Sequence, residues 1–177
     1  MVGVADVYAR VSNAAFGRPL VMNLLRGHVV EAVVALALEP DWRWCAADYA
    51  AWDFERHDGV RLEVKQSAHL QSWLSNSGAK ARPSFDIRER TGRSDGATWI
   101  AEVGRLAHLY LFCHHDRRDA SADHRDPSQW RFHVVPAASL PPIKRIAIGS
   151  VERLSGSCGF DELGERVASA ASSLAPG

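Results

Sequence analysis

The segment from Val60 to Ala68 constrains the chain most, because its side chains alternate cleanly. Val60, Leu62 and Val64 fall on one face, and Arg61, Glu63 and Lys65 on the other. A period of two belongs to a β-strand with one packed and one polar face. His57-Asp58-Gly59 just before it has turn chemistry, and residues 49–55 form a short, aromatic-rich run suited to a strand. The two runs predict an antiparallel hairpin. With His57-Asp58-Gly59 as the loop, Arg56 pairs with Val60, and counting outward sets Asp53 opposite Glu63. Facing residues of such a pair lie about 5 Å apart at Cβ. Lys65, two residues beyond Glu63, points to the same side.

Two facing carboxylates repel each other unless something positive lies between them. A hard divalent cation meets that need, since Mg²⁺ takes one or two carboxylates and completes its octahedron with water and phosphate oxygens. Asp53 and Glu63 are therefore candidate metal ligands. Lys65 is a candidate for orienting or deprotonating an attacking water, or for stabilising a pentavalent phosphate. The competing reading is a solvated strand face with a cross-strand salt bridge.

Residues 23–39 predict the helix before the hairpin. Leu24, Leu25, His28, Val29, Ala32, Val33, Leu36 and Ala37 recur at helical spacing, and Pro40 marks the stop. Its other face is also largely apolar (Val30, Val34, Leu38), so it should be buried on more than one side. Glu31 is the one acid in that apolar stretch, which suits a further metal ligand or water-binding group. The alternative is a buried acid paired with Arg26 or another base. Gly27, costing about 1 kcal/mol of helix stability relative to Ala, suggests close approach of another backbone.

Beyond the helix, strands are expected at 42–47, 49–55 and 60–68, and a second helix or loop begins at 69–75. A small-residue, basic linker follows at 76–83, then a strand at 84–89 and a turn-rich segment at 91–96. Residues 106–113 read as a central strand, 114–128 as a charged surface loop, and 130–135 and 144–148 as strands. A terminal helix is expected at 160–174. The predicted class is α/β (α+β), with helices flanking a central mixed β-sheet.

The order Glu31 on a helix, then Asp53, then Glu63-Val64-Lys65 resembles the PD-(D/E)XK nuclease superfamily, to which restriction endonucleases and Holliday junction resolvases belong. Trp52 stands where the proline of that pattern would be. Arg26-Gly-His-Val-Val-Glu31, the stretch from Glu63-Val-Lys-Gln to Trp73, and Gln129-Trp-Arg-Phe-His-Val-Val-Pro136 resemble one uncharacterised bacterial branch of it, from about Arg18 to Leu154. The resemblance implies a restriction-endonuclease-like core of the order αβββαβ. It also implies a Mg²⁺-dependent deoxyribonuclease, with Mn²⁺ as a possible substitute. Asp53, Glu63 and Glu31 would then bind metal, Lys65 would position the water, and Gln66, or Gln71 less readily, would hold that water or a phosphate. Such enzymes commonly act as homodimers or with a specificity partner. A catalytically inactive nucleic-acid- or protein-binding member of the fold is the other reading.

The 177 residues suit one domain over 1–177, with about 1–17 and 175–177 peripheral. A net charge of +0 excludes a global basic field, so any nucleic-acid contact must be local. Lys80, Arg82, Arg88, Arg90 and Arg93 stand against Asp86 and Glu89 in one segment, which, with Arg26, could track a phosphate backbone; a solvated loop is the equal alternative. Three widely spaced cysteines, Cys45, Cys113 and Cys158, fit a reducing cytoplasm, with Cys45 and Cys113 as small buried hydrophobes. Residues 1–7 do not resemble a signal peptide, and no apolar run is long enough to span a bilayer. His114, His115, Asp116 and His124 read as a solvated loop rather than a second metal site. Of six tryptophans most belong to the core, with one or two available to stack on an unpaired base.

Overall fold

The computed structural model describes residues 1–45, 50–73 and 82–174. Its centre is a mixed five-stranded sheet in the order β1-β2-β3-β7-β8. These strands are β1 (Trp42–Trp44), β2 (Phe54–Arg56), β3 (Arg61–Ala68), β7 (Leu109–His115) and β8 (Trp130–Pro136). Neighbours run antiparallel except β3 and β7, which are parallel over seven pairs from Leu62↔Leu109 to Ala68↔His115. Every residue of β7 is buried, as its apolar run requires of a strand covered on both faces.

One face of the sheet packs on α2 (Asn23–Leu38) and α4 (Leu163–Ser172). Val30, Val33, Val34 and Leu38 of α2 meet Leu62, Leu109, Leu111 and Phe132 from the strands, with Leu163 and Val167 from α4. The other face carries the small sheet of β4 (Ser84–Asp86) and β9 (Arg145–Ala147), together with α3 (Ile148–Leu154). There Phe85, Ile87, Ile146 and Val151 cover Tyr110, Phe112 and Val135. A hairpin of β5 (Arg93–Asp95) and β6 (Thr98–Ile100) stands apart from both sheets. The first helix, α1 (Val4–Phe16), has no buried residue, so its segment is peripheral to the core. Among the described residues none of the four α-helices is long and apolar enough to cross a membrane.

The class expected from sequence is present; several boundaries are not. β2 begins at Phe54, since residues 51–53 are bends and the ladder stops at Phe54↔Leu62, short of a regular Asp53–Glu63 pair; β1 ends at Trp44, and 46–49 lie outside the described residues. Residues 69–73 form bends and a turn where a helix was possible, so the described residues between β3 and β7 hold three short strands and no helix. The order αβββαβ is thus not reproduced among them, although 74–81 lie outside the description. Residues 91–96 prove to be partly strand, since Arg93–Asp95 pairs with Thr98–Ile100. The helix at 23–39 ends at Leu38, and the strand at 106–113 is displaced to Leu109–His115.

The charged loop at 114–128 is also corrected. His114 and His115 end the central strand and are buried, and His124 folds back under Trp130, whose Nε1 donates to the His124 carbonyl at 3.0 Å. His124 Nδ1 accepts from the Val21 amide at 3.0 Å, tying the loop to the segment before α2. Cys113 is buried as expected, whereas Cys45 is only partly so.

Candidate functional site

The hairpin has the register read from its turn. Phe54 faces Leu62 and Glu55 faces Arg61. The loop closes with Arg56 N–H on the Val60 carbonyl and Gly59 N–H on the Arg56 carbonyl, each at 2.9 Å. Gly59 has φ +83°, the left-handed conformation such a loop demands of its last residue. Past Phe54 the ladder is disturbed: Asp53 N–H donates to Leu62 O at 3.0 Å, while its own carbonyl receives Cys45 N–H at 2.8 Å. Asp53 therefore sits in a fork where β2 leaves β3, and its Oδ2 accepts the Val64 amide at 2.6 Å. Among the described residues Asp53 Oδ1 makes no hydrogen bond.

Glu63 is buried, at 4% exposure, which removes the solvated-face alternative for it. Its Oε1 accepts from Lys65 Nζ at 2.6 Å and from Arg90 Nη2 at 3.1 Å. Arg90 reaches there from a bridge in which it exchanges both backbone hydrogen bonds with Gly104 (2.9 and 3.0 Å), where φ is +138°. Glu31 lies on α2 and accepts from Trp44 Nε1 at 3.1 Å. The Arg26 pairing considered for Glu31 is absent.

These groups share one electrostatic field. Burial pushes the Asp53 carboxyl up to about 7; Glu63 and Glu31 add to the rise, while the Val64 amide and Lys65 oppose it. Burial and then Glu63 likewise push the Tyr110 hydroxyl up to about 12. Among the described residues no three His, Cys, Asp or Glu side chains form a ready metal-ligand group. Each acid instead leans on its own donor: Asp53 on Val64, Glu63 on Lys65 and Arg90, Glu31 on Trp44. By donor chemistry the set still fits a hard divalent cation. It offers carboxylate oxygens only, two of which suffice for Mg²⁺, and a half-buried Asp53 whose charge the chain leaves poorly compensated.

The remaining candidates separate. Gln66 is not turned to the acids: its Oε1 accepts from Arg26 Nε at 2.6 Å and its Nε2 lies 3.3 Å from Asn23 Oδ1. Arg26 is 1% exposed, so it does not stand on the outer surface with the other basic residues of the predicted track. Its Nη1 and Nη2 donate to Gln71 Oε1 at 2.8 Å and Asn23 Oδ1 at 2.6 Å. Arg88 pairs with Asp86 at 2.6 Å and Arg93 with Glu102 at 2.9 Å, while Arg82 is exposed. Lys80 lies outside the described residues. Gly27 admits no close backbone, since a Cβ placed there would meet nothing within 4 Å.

Sequence reasoning missed Trp44 as the partner of Glu31, Arg90 as the second cation on Glu63, and Tyr110 beside it. The burial of Arg26 did carry a signal: it stands four residues before Val30, on the buried stripe of α2. Two tryptophans are strongly exposed, Trp73 and Trp99, at 62% and 61%. Trp99 borders a groove of about 600 Å³ that also contains Glu63, Lys65, Arg90 and Tyr110. No protein-family description matches the chain, and no curated protein matches it.

Proposed function

We propose that this chain is a metal-dependent phosphodiester hydrolase of the PD-(D/E)XK type that acts on DNA as an endonuclease. One observation carries the reading: a half-buried acid with a raised proton affinity, Asp53, lies in the fork beside a buried acid, Glu63, which holds Lys65. A structural salt bridge needs no second carboxylate, and burying two acids together is unfavourable without a cation. The succession α2, β1, β2, β3, with β7 parallel to β3, supports a restriction-endonuclease-like core.

Asp53 and Glu63 would hold Mg²⁺, or Mn²⁺ in its place, with Glu31 assisting. When bound, such an ion supplies Lewis-acid polarisation of the phosphate and a more acidic water. The Val64 amide fixes Asp53 through Oδ2 and leaves Oδ1 for a ligand. Glu63 orients the Lys65 ammonium, whose remaining N–H groups face the groove and can hold the nucleophilic water or a phosphate oxygen. Arg90 shares Glu63 with Lys65, so its guanidinium is positioned to meet the charge that develops on the phosphate.

The test is a cleavage screen with Mg²⁺ and Mn²⁺ on linear, circular, single-stranded and branched DNA. Asp53→Ala and Lys65→Ala should each abolish turnover while the circular dichroism spectrum is kept. Retained activity in folded Lys65→Ala would overturn the mechanism. Metal-independent binding without turnover in the wild type would favour an inactive binding member of the same fold.

A further inference from the structure

Arg26 is the buried charge that the acid site does not use. Its guanidinium is held by three neutral amide oxygens, from Gln66, Gln71 and Asn23, and among the described residues it makes no ion pair. A buried cation without a counter-charge is costly, and burial pulls this guanidinium down to about 10. Three of its five N–H groups can be spent on those amides, and two remain.

The space beside it is a groove of about 520 Å³, bordered by Arg26, Gly27, Lys65, Gln71, Arg82 and Arg145. Asp86, the one acid on its wall among the described residues, is already paired with Arg88 at 2.6 Å. Gly27 makes the wall bare, since a Cβ there would meet nothing, and a helix-interior glycine without a packing reason is a standing cost of about 1 kcal/mol. Lys65 and Asp86 also border the groove that holds Glu63 and Arg90, so the two grooves adjoin along Lys65. Trp73 stands on the wall of the first and Trp99 on that of the second.

We infer that the Arg26 groove binds a phosphate group of a nucleic-acid strand, with Arg26 as the buried anchor and Arg82 and Arg145 at the rim. An occupied groove would direct the neighbouring phosphodiester toward Lys65. The identity of the ligand rests on the nuclease reading, whereas binding itself requires neither metal nor cleavage.

The experiment is a fluorescence-anisotropy titration of the full chain, in EDTA, with labelled oligonucleotides bearing a 5′-phosphate, a 3′-phosphate or neither. The variants are Gly27→Leu and the double variant Arg82→Gln/Arg145→Gln. A Cβ at Gly27 meets nothing within 4 Å and leucine is the better helix former, so Gly27→Leu should project into the groove with a melting temperature equal to or above that of the wild type. Both variants should weaken binding by about tenfold or more, as loss of charge-assisted phosphate contacts predicts. A preference for one phosphorylated end identifies a terminal phosphate as the occupant, and equal affinities identify an internal phosphodiester; either supports the groove. Folded Gly27→Leu that binds all three within about twofold of wild type would reduce Arg26 to a tie between α2 and β3 and overturn the inference. So would a wild type that binds none. Binding that depends on the groove without Mg²⁺-dependent cleavage would sink the hydrolase while leaving the groove standing; cleavage with an indifferent Gly27→Leu would do the reverse.

Discussion

Replacing Asp53 by Asn should make the protein more stable and, in the proposed hydrolase, inactive. The Asn side chain keeps an oxygen for the Val64 amide, so the fork geometry can persist while the charge disappears. An ordinary aspartate near 3.8 is raised here to about 7, which favours the protonated form in the fold. At about 1.4 kcal/mol per tenfold, the ionised side chain opposes folding by at most about 4 kcal/mol above pH 7. The sign fixes the pH window. Stability associated with this raised group is complete below about 4 and is lost as pH climbs through 7, so the gain in Asp53→Asn should be small at pH 4 and largest at pH 7.5. Urea denaturation in EDTA at several pH values measures it, with a gain of about 1–4 kcal/mol expected at pH 7.5. Adding Mg²⁺ should stabilise the wild type and leave Asp53→Asn nearly unmoved. A gain that does not vary with pH, or a loss of stability in EDTA at pH 7.5, would refute the account of an uncompensated buried acid.

Three further outcomes are expected. Burial holds His114 and His124 at about 4, so both stay neutral in the fold and take protons on unfolding. In an Asp53→Asn background, stability should therefore fall from pH 6.5 to pH 4, by up to about 1.4 kcal/mol per pH unit for each histidine; a urea midpoint that rises on acidification would contradict this. Arg105 donates to the carbonyls of Ile87, Leu140 and Pro141 at 3.0, 3.1 and 2.6 Å, tying the β4 side of the fold to the turn after β8. Arg105→Ala should lower stability by roughly 2–4 kcal/mol in thermal unfolding, and a change below about 0.5 kcal/mol would show those contacts to be idle. A Cβ at Gly92 would clash with the Ile100 carbonyl oxygen and lie 2.6 Å from Trp99 Cζ2. Gly92→Ala should shift the β5–β6 hairpin and the Trp99 ring, costing about 1–3 kcal/mol and changing tryptophan emission, whereas unchanged stability and spectrum would show that the close packing at Gly92 is not needed.

The hairpin that carries the candidate site was legible because both of its determinants are local. Alternation from Val60 fixes the face of Glu63 and Lys65, and Gly59 fixes the loop that sets the register. The wider surroundings of Glu63 were not legible, since Arg90 comes from 27 residues away through a bridge to Gly104, a pairing with no periodic signature. Charge misled where burial decided. Arg26 read as part of a surface track and the histidines of 114–124 as solvated, yet all are buried, with amide oxygens receiving Arg26 and backbone groups meeting His115 and His124. Gln66 followed the same pattern: its place beside Lys65 in sequence puts it on the opposite face of β3, toward α2. The β5–β6 hairpin escaped notice because Arg93–Asp95 and Thr98–Ile100 are too short to show alternation.

The parallel seam between β3 and β7 has a kinetic consequence. Leu62 must find Leu109, so the closure spans 47 residues, whereas the β2–β3 hairpin closes over only three loop residues. During synthesis Glu31, Asp53, Glu63 and Lys65 are all present before β7 emerges, but Glu63 can be enclosed only once Tyr110 arrives beside it. The hairpin can thus form early, with its acids still in water and their mutual repulsion screened. Folding of this chain should consequently pass from a hairpin with a solvated Asp53 to a native state in which its proton affinity is raised, and the β3–β7 pairing is the step that encloses Glu63 beside it.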